Sequence, residues 1–394
     1  MSESLSAAIK GVLEAAASSG GVPGAVAVVV GRDGVRGLAA AGTTRSDGTG
    51  VPLEPDARFR IASMTKALTS VAALQLVEQG KLDLDTEVAA VLPPWKDVQV
   101  FDGWDGDEPR LREPKTQATI RHLLTHTAGH GYMFLNPDLG KYHSLTETPN
   151  VFSGDKRSLT TPLQTDPGTR WEYGINTDWL GFVVEEVSGQ TLDAYLAEHL
   201  FSPLGMNDTS FALTSDERAG MMPVHSRTAD GGLVVSDIDL AVDPAWMAGG
   251  HGAFSTAEDY GRFVTMLLGD GSAPDGTRVL REETIEQAFT DQLGGVAYPA
   301  VIETAMPELT NTVHNLPIRH GWGLCFHLSL DDLEGMRRAG TGDWAGIFNC
   351  YYWIDRTSGI GGVFLTQVLP FFDQHCVEAA VGVELAAYAD LGSA

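Results

Sequence analysis

The chain has 394 residues, 43% of them apolar and 20% charged, an ordinary globular composition that excludes a disordered or low-complexity protein. Twenty-six Lys and Arg against 52 Asp and Glu give a formal charge of -26. A surface that negative repels phosphate backbones and anionic lipid headgroups, so neither nucleic acid nor a membrane surface is an expected partner. At roughly 150 residues per domain, the length fits about two domains, or one large domain with an inserted lobe.

Leu5, Ile9 and Leu13 recur every four residues with alanines between them, which predicts a helix over 5–17. Ala25–Val30 and Val35–Ala41 flank Gly31-Arg32-Asp33-Gly34, whose Asp-Gly step is a hairpin signal. Phe59-Arg60-Ile61-Ala62 leads into Ser63, and 64–79 reads as a helix that is apolar nearly all round and stops at Gly80. A helix with no polar face belongs in the centre of the molecule.

From about 92 to 250 short helical stretches (His122–His126, Asp178–Ser188, Leu192–Leu200) alternate with loops rich in Gly, Pro, Asp and Trp. A helix follows at Ala257–Leu268, then a loop at Gly269–Gly276 and a poorly patterned stretch. Gly323–Leu330, Ile347–Ile354 and Gly361–Leu369 read as strands, and Cys376–Tyr388 as a closing helix. Strands near both ends with helices between them predict an α/β (α+β) sheet domain, built from 1–91 and 250–394, with a mainly helical domain at 92–249.

Cys325, Cys350 and Cys376 are too few and scattered for a disulfide framework or a metal knuckle, and are expected to be packing residues. Met1-Ser2-Glu3-Ser4-Leu5 lacks the basic start and apolar core of a signal peptide. No apolar run approaches the ~20 residues that span a bilayer. The expectation is a soluble, cytoplasmic protein.

Several enzyme signatures are missing: GxSxG, HExxH, the GxxxxGK[ST] phosphate loop, and GxGxxG between a strand and a helix. S-x-x-K occurs twice, at Ser63-Met64-Thr65-Lys66 and Ser153-Gly154-Asp155-Lys156. Context separates the two. Ser63 opens a long apolar helix that carries Lys66 one turn on, along the same face, whereas Ser153 lies in a Gly/Asp loop. The backbone N–H of a serine at a helix start can face a developing oxyanion, and a buried lysine can be neutral enough to take the serine proton. The plainer alternative is a helix cap with its lysine in solvent.

Trp171-Glu172-Tyr173-Gly174-Ile175-Asn176 lies just before a helix, from where Tyr173 could point into a cleft as a general base or simply pack its ring. Ala339–Gly346 is rich in small residues that let a strand backbone approach an acyl group. His122, His126 and His130 recur every four residues, but Gly129 should end the helix and no local carboxylate completes a metal set. Helix-end hydrogen bonding is the expectation there, with no metal.

Taken together, these blocks resemble the serine β-lactamase-like hydrolases, and within them the family VIII carboxylesterases, which share the class C β-lactamase fold. The resemblance rests on Phe59–Lys66, His122–Gly129, Pro167–Asn176, Pro203-Leu204-Gly205-Met206, Gly249–Thr256 and Trp344-Ala345-Gly346, in that order along about 22–370. It implies a β-lactamase/transpeptidase-like fold, an antiparallel sheet flanked by helices with an inserted helical domain. It also implies Ser63 as acyl nucleophile, Lys66 as its activator and Tyr173 as general base. The N–H groups of Ser63 and Ile347 would form the oxyanion hole, and no cofactor is implied.

Trp344-Ala345-Gly346 stands where β-lactamases carry Lys-Thr-Gly, and the asparagine expected two residues after the tyrosine is shifted to Asn176. Without the lysine that would hold a β-lactam carboxylate, a neutral ester is the better-suited substrate. The expected activity is a carboxylesterase acting on small esters with short acyl chains, with Trp344, Ala345, Gly346 and Asn176 against the substrate. Alternatives are a slow β-lactamase or D-amino-acid peptidase, an acyltransferase, or a non-catalytic binding module. Sequence leaves the oligomeric state open.

Overall fold

A computed structural model describes residues 1–241, 244–324 and 326–393, so Cys325 lies outside the described residues. Helix α1 (Glu3–Ser18) starts where the Ser2 side chain accepts a hydrogen bond from the Leu5 amide, and its spaced Leu5, Ile9 and Leu13 are buried. Strands β1 (Gly24–Gly31) and β2 (Gly34–Gly42) form the expected hairpin. Further strands are β3 (His320–Trp322), β4 (His327–Ser329), β5 (Thr341–Gly346), β6 (Cys350–Asp355) and β7 (Ile360–Leu365). They form one seven-stranded antiparallel sheet in the order β3-β4-β5-β6-β7-β1-β2, so β1 joins the N-terminal hairpin to the C-terminal strands.

All eight residues of β1 are buried, because both sheet faces are covered. Ala25, Ala27 and Val29 point into a cluster with α1 and the closing helix α6 (Gln374–Ser393). Val26, Val28 and Val30 point the other way, into the main core. There helix α5 (Ala257–Leu268), capped by Thr256, packs on β1 and β7. This is the β-lactamase/transpeptidase-like architecture that the sequence predicts.

Helix α2 (Thr65–Glu78) follows a short 3-10 turn at Ala62–Met64 and is buried from Thr65 through Leu76. It packs against α4 (Asn176–Ser188), and α4 in turn packs against α3 (Ile120–Leu124). The 92–249 segment is less purely helical than predicted. It contains hairpins at Val100–Asp105/Glu108–Arg112 and at His225–Arg227/Leu233–Val235, the latter extended in parallel by Val368–Leu369. Asp and Gly in Val100–Asp105, Pro in Glu108–Arg112, and the two- or three-residue length of the others hide them from pattern reading.

Three strand assignments need correction, the first being Gly361–Leu369, which is strand β7 only to Leu365, with Val368–Leu369 in another sheet. Gly323–Leu330 is expected as one strand, but among the described residues only His327–Ser329 (β4) is strand there, and it pairs with β3 (His320–Trp322), which precedes that range. Ile347 was expected to open a strand. Instead Ile347, Phe348 and Asn349 form the turn between β5 and β6, with Asn349 at φ 60°. The small-residue segment before it is itself strand β5, held by pairing with β4 and β6 rather than by propensity. Among the described residues, no helix is long and apolar enough to cross a membrane.

Candidate active site

Ser63 sits in the 3-10 turn just ahead of α2, half-buried, and follows Ala62 at φ 44°. A left-handed alanine costs about 1 kcal/mol or more, a strain of the kind found at functional sites. The turn aims Ser63 at Lys66, whose Nζ lies 3.1 Å from Ser63 Oγ. Lys66 is 2% exposed, and its Nζ also donates to the Gly250 carbonyl at 2.7 Å and to the Tyr132 hydroxyl at 3.0 Å. Burial pushes the amine down to about 7, while Asp178 pulls the other way.

Tyr173 completes the cluster. Its hydroxyl is hydrogen-bonded to Ser63 and accepts a 2.8 Å hydrogen bond from Trp344 Nε1. Burial drives the phenol above its ordinary range against the pull of both hydrogen bonds. The Lys66 ammonium position lies 4.8 Å from the Tyr173 ring centre and 5.2 Å from that of Tyr132, and the two rings meet edge to face at 5.3 Å. Sequence reading named Ser63, Lys66 and Tyr173, and all three converge here. It missed Tyr132, which stood in a stretch without periodicity that read only as a loop.

Strand β5 brings in the rest. Gly346 packs on the Ile61 carbonyl so closely that a Cβ there would collide with it, which sets the end of β5 against the Ser63 turn. The next residue along the chain is Ile347, which is buried. Asp343 anchors the strand below Trp344. It accepts from His327 Nδ1 at 2.8 Å and pairs with Arg337, which also binds Glu384. Burial works to raise the Asp343 carboxyl, but His327 and Arg337 prevail and hold it down at about 2.

Trp344 belongs to an aromatic wall. Its ring centre is 4.9 Å from that of Tyr173 and 4.7 Å from Trp322, while Trp171 lies 4.8 Å from Tyr298. These rings, with Leu293, Val296 and Ile302, form a separate apolar cluster that includes Tyr173. Tyr298 and Ile302 come from the poorly patterned stretch at 277–322, where no sequence signal marked them individually.

Asn176 is corrected. It is fully buried, and its Nδ2 lies 2.9 Å from His126 Nδ1, 3.0 Å from the Glu172 carbonyl and 3.2 Å from the His130 carbonyl. Its Nδ2 clamps the loop bearing Tyr132 to the segment bearing Tyr173, while its buried Oδ1 has no hydrogen-bond partner among the described residues. The three spaced histidines diverge. His122 Nδ1 accepts the Thr119 amide in a helix cap, since α3 ends at Leu124. His126, at φ 54°, lies under Tyr173 with its ring centre 4.9 Å away, and burial pushes it well below its ordinary value, helped by Lys66. His130 is wedged between Trp95 and Trp179 and is held at about 3 by burial, against Asp178. The second S-x-x-K does not form a pair: Ser153 Oγ caps the Asp155 amide and Lys156 Nζ sits 5.7 Å from the Phe182 ring.

Known proteins of this architecture carry both transferase and hydrolase names. The chain is 33% identical over 355 residues to a monacolin J acid methylbutanoyltransferase of Aspergillus terreus, covering 86% of this chain and 83% of that one. It is 31% identical over 374 residues to a lovastatin esterase of Penicillium rubens, covering 91% and 92%. Among solved structures, unliganded simvastatin synthase from Aspergillus terreus superposes with a TM-score of 0.83 at 29% identity, over 100% of both chains. The beta-lactamase family profile matches residues 7–387. The chain therefore belongs to the beta-lactamase family.

Proposed function

We propose that this protein is a serine acyl-transfer enzyme that takes a short acyl group from a neutral ester onto Ser63 and passes it to an alcohol or to water. The observation that carries the reading is the Ser63, Lys66 and Tyr173 cluster with an indole N–H, not a lysine, on the tyrosine hydroxyl. A tryptophan offers no countercharge to an anionic substrate, and the wall behind it suits an apolar one. The sequence-based expectation of a carboxylesterase becomes one half of this reading. Relatives named as a transferase and as an esterase match at 33% and 31% identity, so similarity does not choose the acceptor.

In the proposed cycle the neutral Lys66 amine, its hydrogens directed at Gly250 and Tyr132, takes the Ser63 proton as Oγ attacks the ester carbonyl. The Ser63 and Ile347 amides receive the oxyanion. Tyr173 gives its proton to the departing alkoxide, leaving a phenolate beside the Lys66 ammonium and under the Trp344 N–H. In the second half that phenolate takes the proton of the incoming alcohol or water, and Lys66 returns its proton to Ser63 Oγ. Protons balance over the cycle, and side chains supply every step, so the reading calls for no cofactor.

The test is product partition. Wild type and Ser63→Ala are given p-nitrophenyl butyrate with rising concentrations of methanol or of a bulky alicyclic alcohol, and both acid and new ester are measured. Ser63-dependent release of p-nitrophenol with ester product that grows with the bulky alcohol is expected. Unchanged release in Ser63→Ala would overturn the reading; acid as the sole product would reduce it to an esterase. Nitrocefin turnover rivalling that of the ester would remove the argument from Trp344.

A further inference from the structure

Asp178, in the first turn of α4, is a carboxylate with no access to water. Its Oδ1 accepts the Gly250 amide at 2.8 Å and lies 3.5 Å from His251 Nδ1. Its Oδ2 has no hydrogen-bond partner among the described residues. A buried carboxylate with a single amide donor is costly unless a positive charge faces it.

The geometry supplies that charge by way of one residue. Gly250 gives its N–H to Asp178 and its carbonyl to Lys66 Nζ, at 2.8 and 2.7 Å. Any side chain at 250 would run into the Asp178 carboxylate, so the backbone lies directly on it. The Thr69 hydroxyl donates to the Gly249 carbonyl at 2.8 Å and fixes the other side of the turn on α2. The groups that face Asp178 are Lys66 from α2, His130 and Tyr132 from the loop after α3, Tyr173 from the segment before α4, and His251 beside Gly250. His126 faces Lys66. Burial keeps His126 and His130 neutral at ordinary pH and both phenols protonated, which leaves Lys66, and His251 at 3.5 Å, as the basic groups able to carry the positive charge.

We propose that Asp178 is a positioning residue of the acyl-transfer reaction, which seats the Gly250 carbonyl on the Lys66 amine and supplies that amine's buried countercharge. The proposal rests on the function assigned above to Lys66. Its consequence is a tuned base: without the carboxylate, burial alone would act on Lys66, and the amine would be a weaker acceptor for the Ser63 proton.

Asp178→Asn tests this, because the amide oxygen can still accept the Gly250 N–H while the charge is gone. The chain has seven lysines, so with 13Cε-labelled lysine the Lys66 signal can be assigned by its loss in Lys66→Met and titrated directly. The midpoint is expected to fall by about one pH unit or more in Asp178→Asn. The acid limb of kcat/KM for p-nitrophenyl butyrate should move down with it, while the maximal rate drops as the base weakens. Asp178→Glu, which keeps the charge, should restore the wild-type midpoint in part. A wild-type midpoint in a folded Asp178→Asn protein would overturn the proposal, whatever the activity. If Asp178→Asn does not fold, the same titration on His251→Phe and Asp178→Glu decides: a carboxylate that pairs with Lys66 keeps the midpoint within a few tenths of a unit in His251→Phe, and a larger fall there would assign the countercharge elsewhere. Should wild type show no Ser63-dependent turnover, the acyl-transfer reading fails, and the NMR midpoint still reports on the pair.

Discussion

The indole Nε1 of Trp344 donates to the hydroxyl of Tyr173 at 2.8 Å, and so a strand residue holds the phenol that faces Ser63. A donor on that oxygen favours the phenolate over the phenol. Trp344→Phe keeps the ring and removes the donor, and should lower kcat about tenfold, the worth of one hydrogen bond to a charged oxygen. Steady-state kinetics with a thermal melt to check folding will measure it. An unchanged kcat would mean that no phenolate forms during turnover.

The two phenols at Lys66 should separate cleanly. Tyr173→Phe removes the group that exchanges protons with the leaving and entering alcohols, at a cost of at least about 10²-fold in kcat. Tyr132→Phe removes one neighbour of Lys66 Nζ and should cost about tenfold or less. Equal losses would mean that the two hydroxyls work as one unit.

The pH profile follows from Lys66. Below about 7 the amine holds its own proton and cannot take that of Ser63, so kcat/KM should fall towards acid and level off above that point. Tyr173 is raised, so no alkaline loss from its ionisation is expected within the ordinary phenol range. Rates from about pH 5 to about pH 9 would show the limb. A profile flat through neutrality would take Lys66 out of the base role.

Gly346 is a close-approach residue. Gly346→Ala would place a methyl against the Ile61 carbonyl and push β5 from the Ser63 turn. Overpacking of this kind costs about 1–3 kcal/mol. We expect a lower melting temperature and, in the folded fraction, a kcat loss larger than the change in KM, because the Ile347 amide moves with the strand.

Asn176 separates a clamp from a substrate contact. Asn176→Ala leaves buried acceptors unpaired and should destabilise the fold by about 1–3 kcal/mol. KM in the surviving enzyme should stay near wild type. A selective rise in KM at unchanged stability would return Asn176 to the substrate.

Much of this protein is determined locally. The spacing of Leu5, Ile9 and Leu13, the Asp33-Gly34 turn and the side chains that cap α1 and α5 specify their elements through short-range contacts alone. Ser63 and Lys66 are one helical turn apart, so their meeting at 3.1 Å needs nothing beyond the local backbone. Tyr173 and Trp344 stood out by motif, but the hydrogen bond between them links residues 171 positions apart, and no local rule predicts it.

Tertiary structure decided the rest. Tyr132 and Asp178 reach Lys66 only because separate segments close over one buried amine, and burial is what lowers that amine to about 7. Strand β5 exists because β4 and β6 pair with a segment of small and acidic residues whose own β propensity is poor. Periodicity reports which face of an element is buried; which charges share that buried space depends on chain crossings that periodicity does not encode.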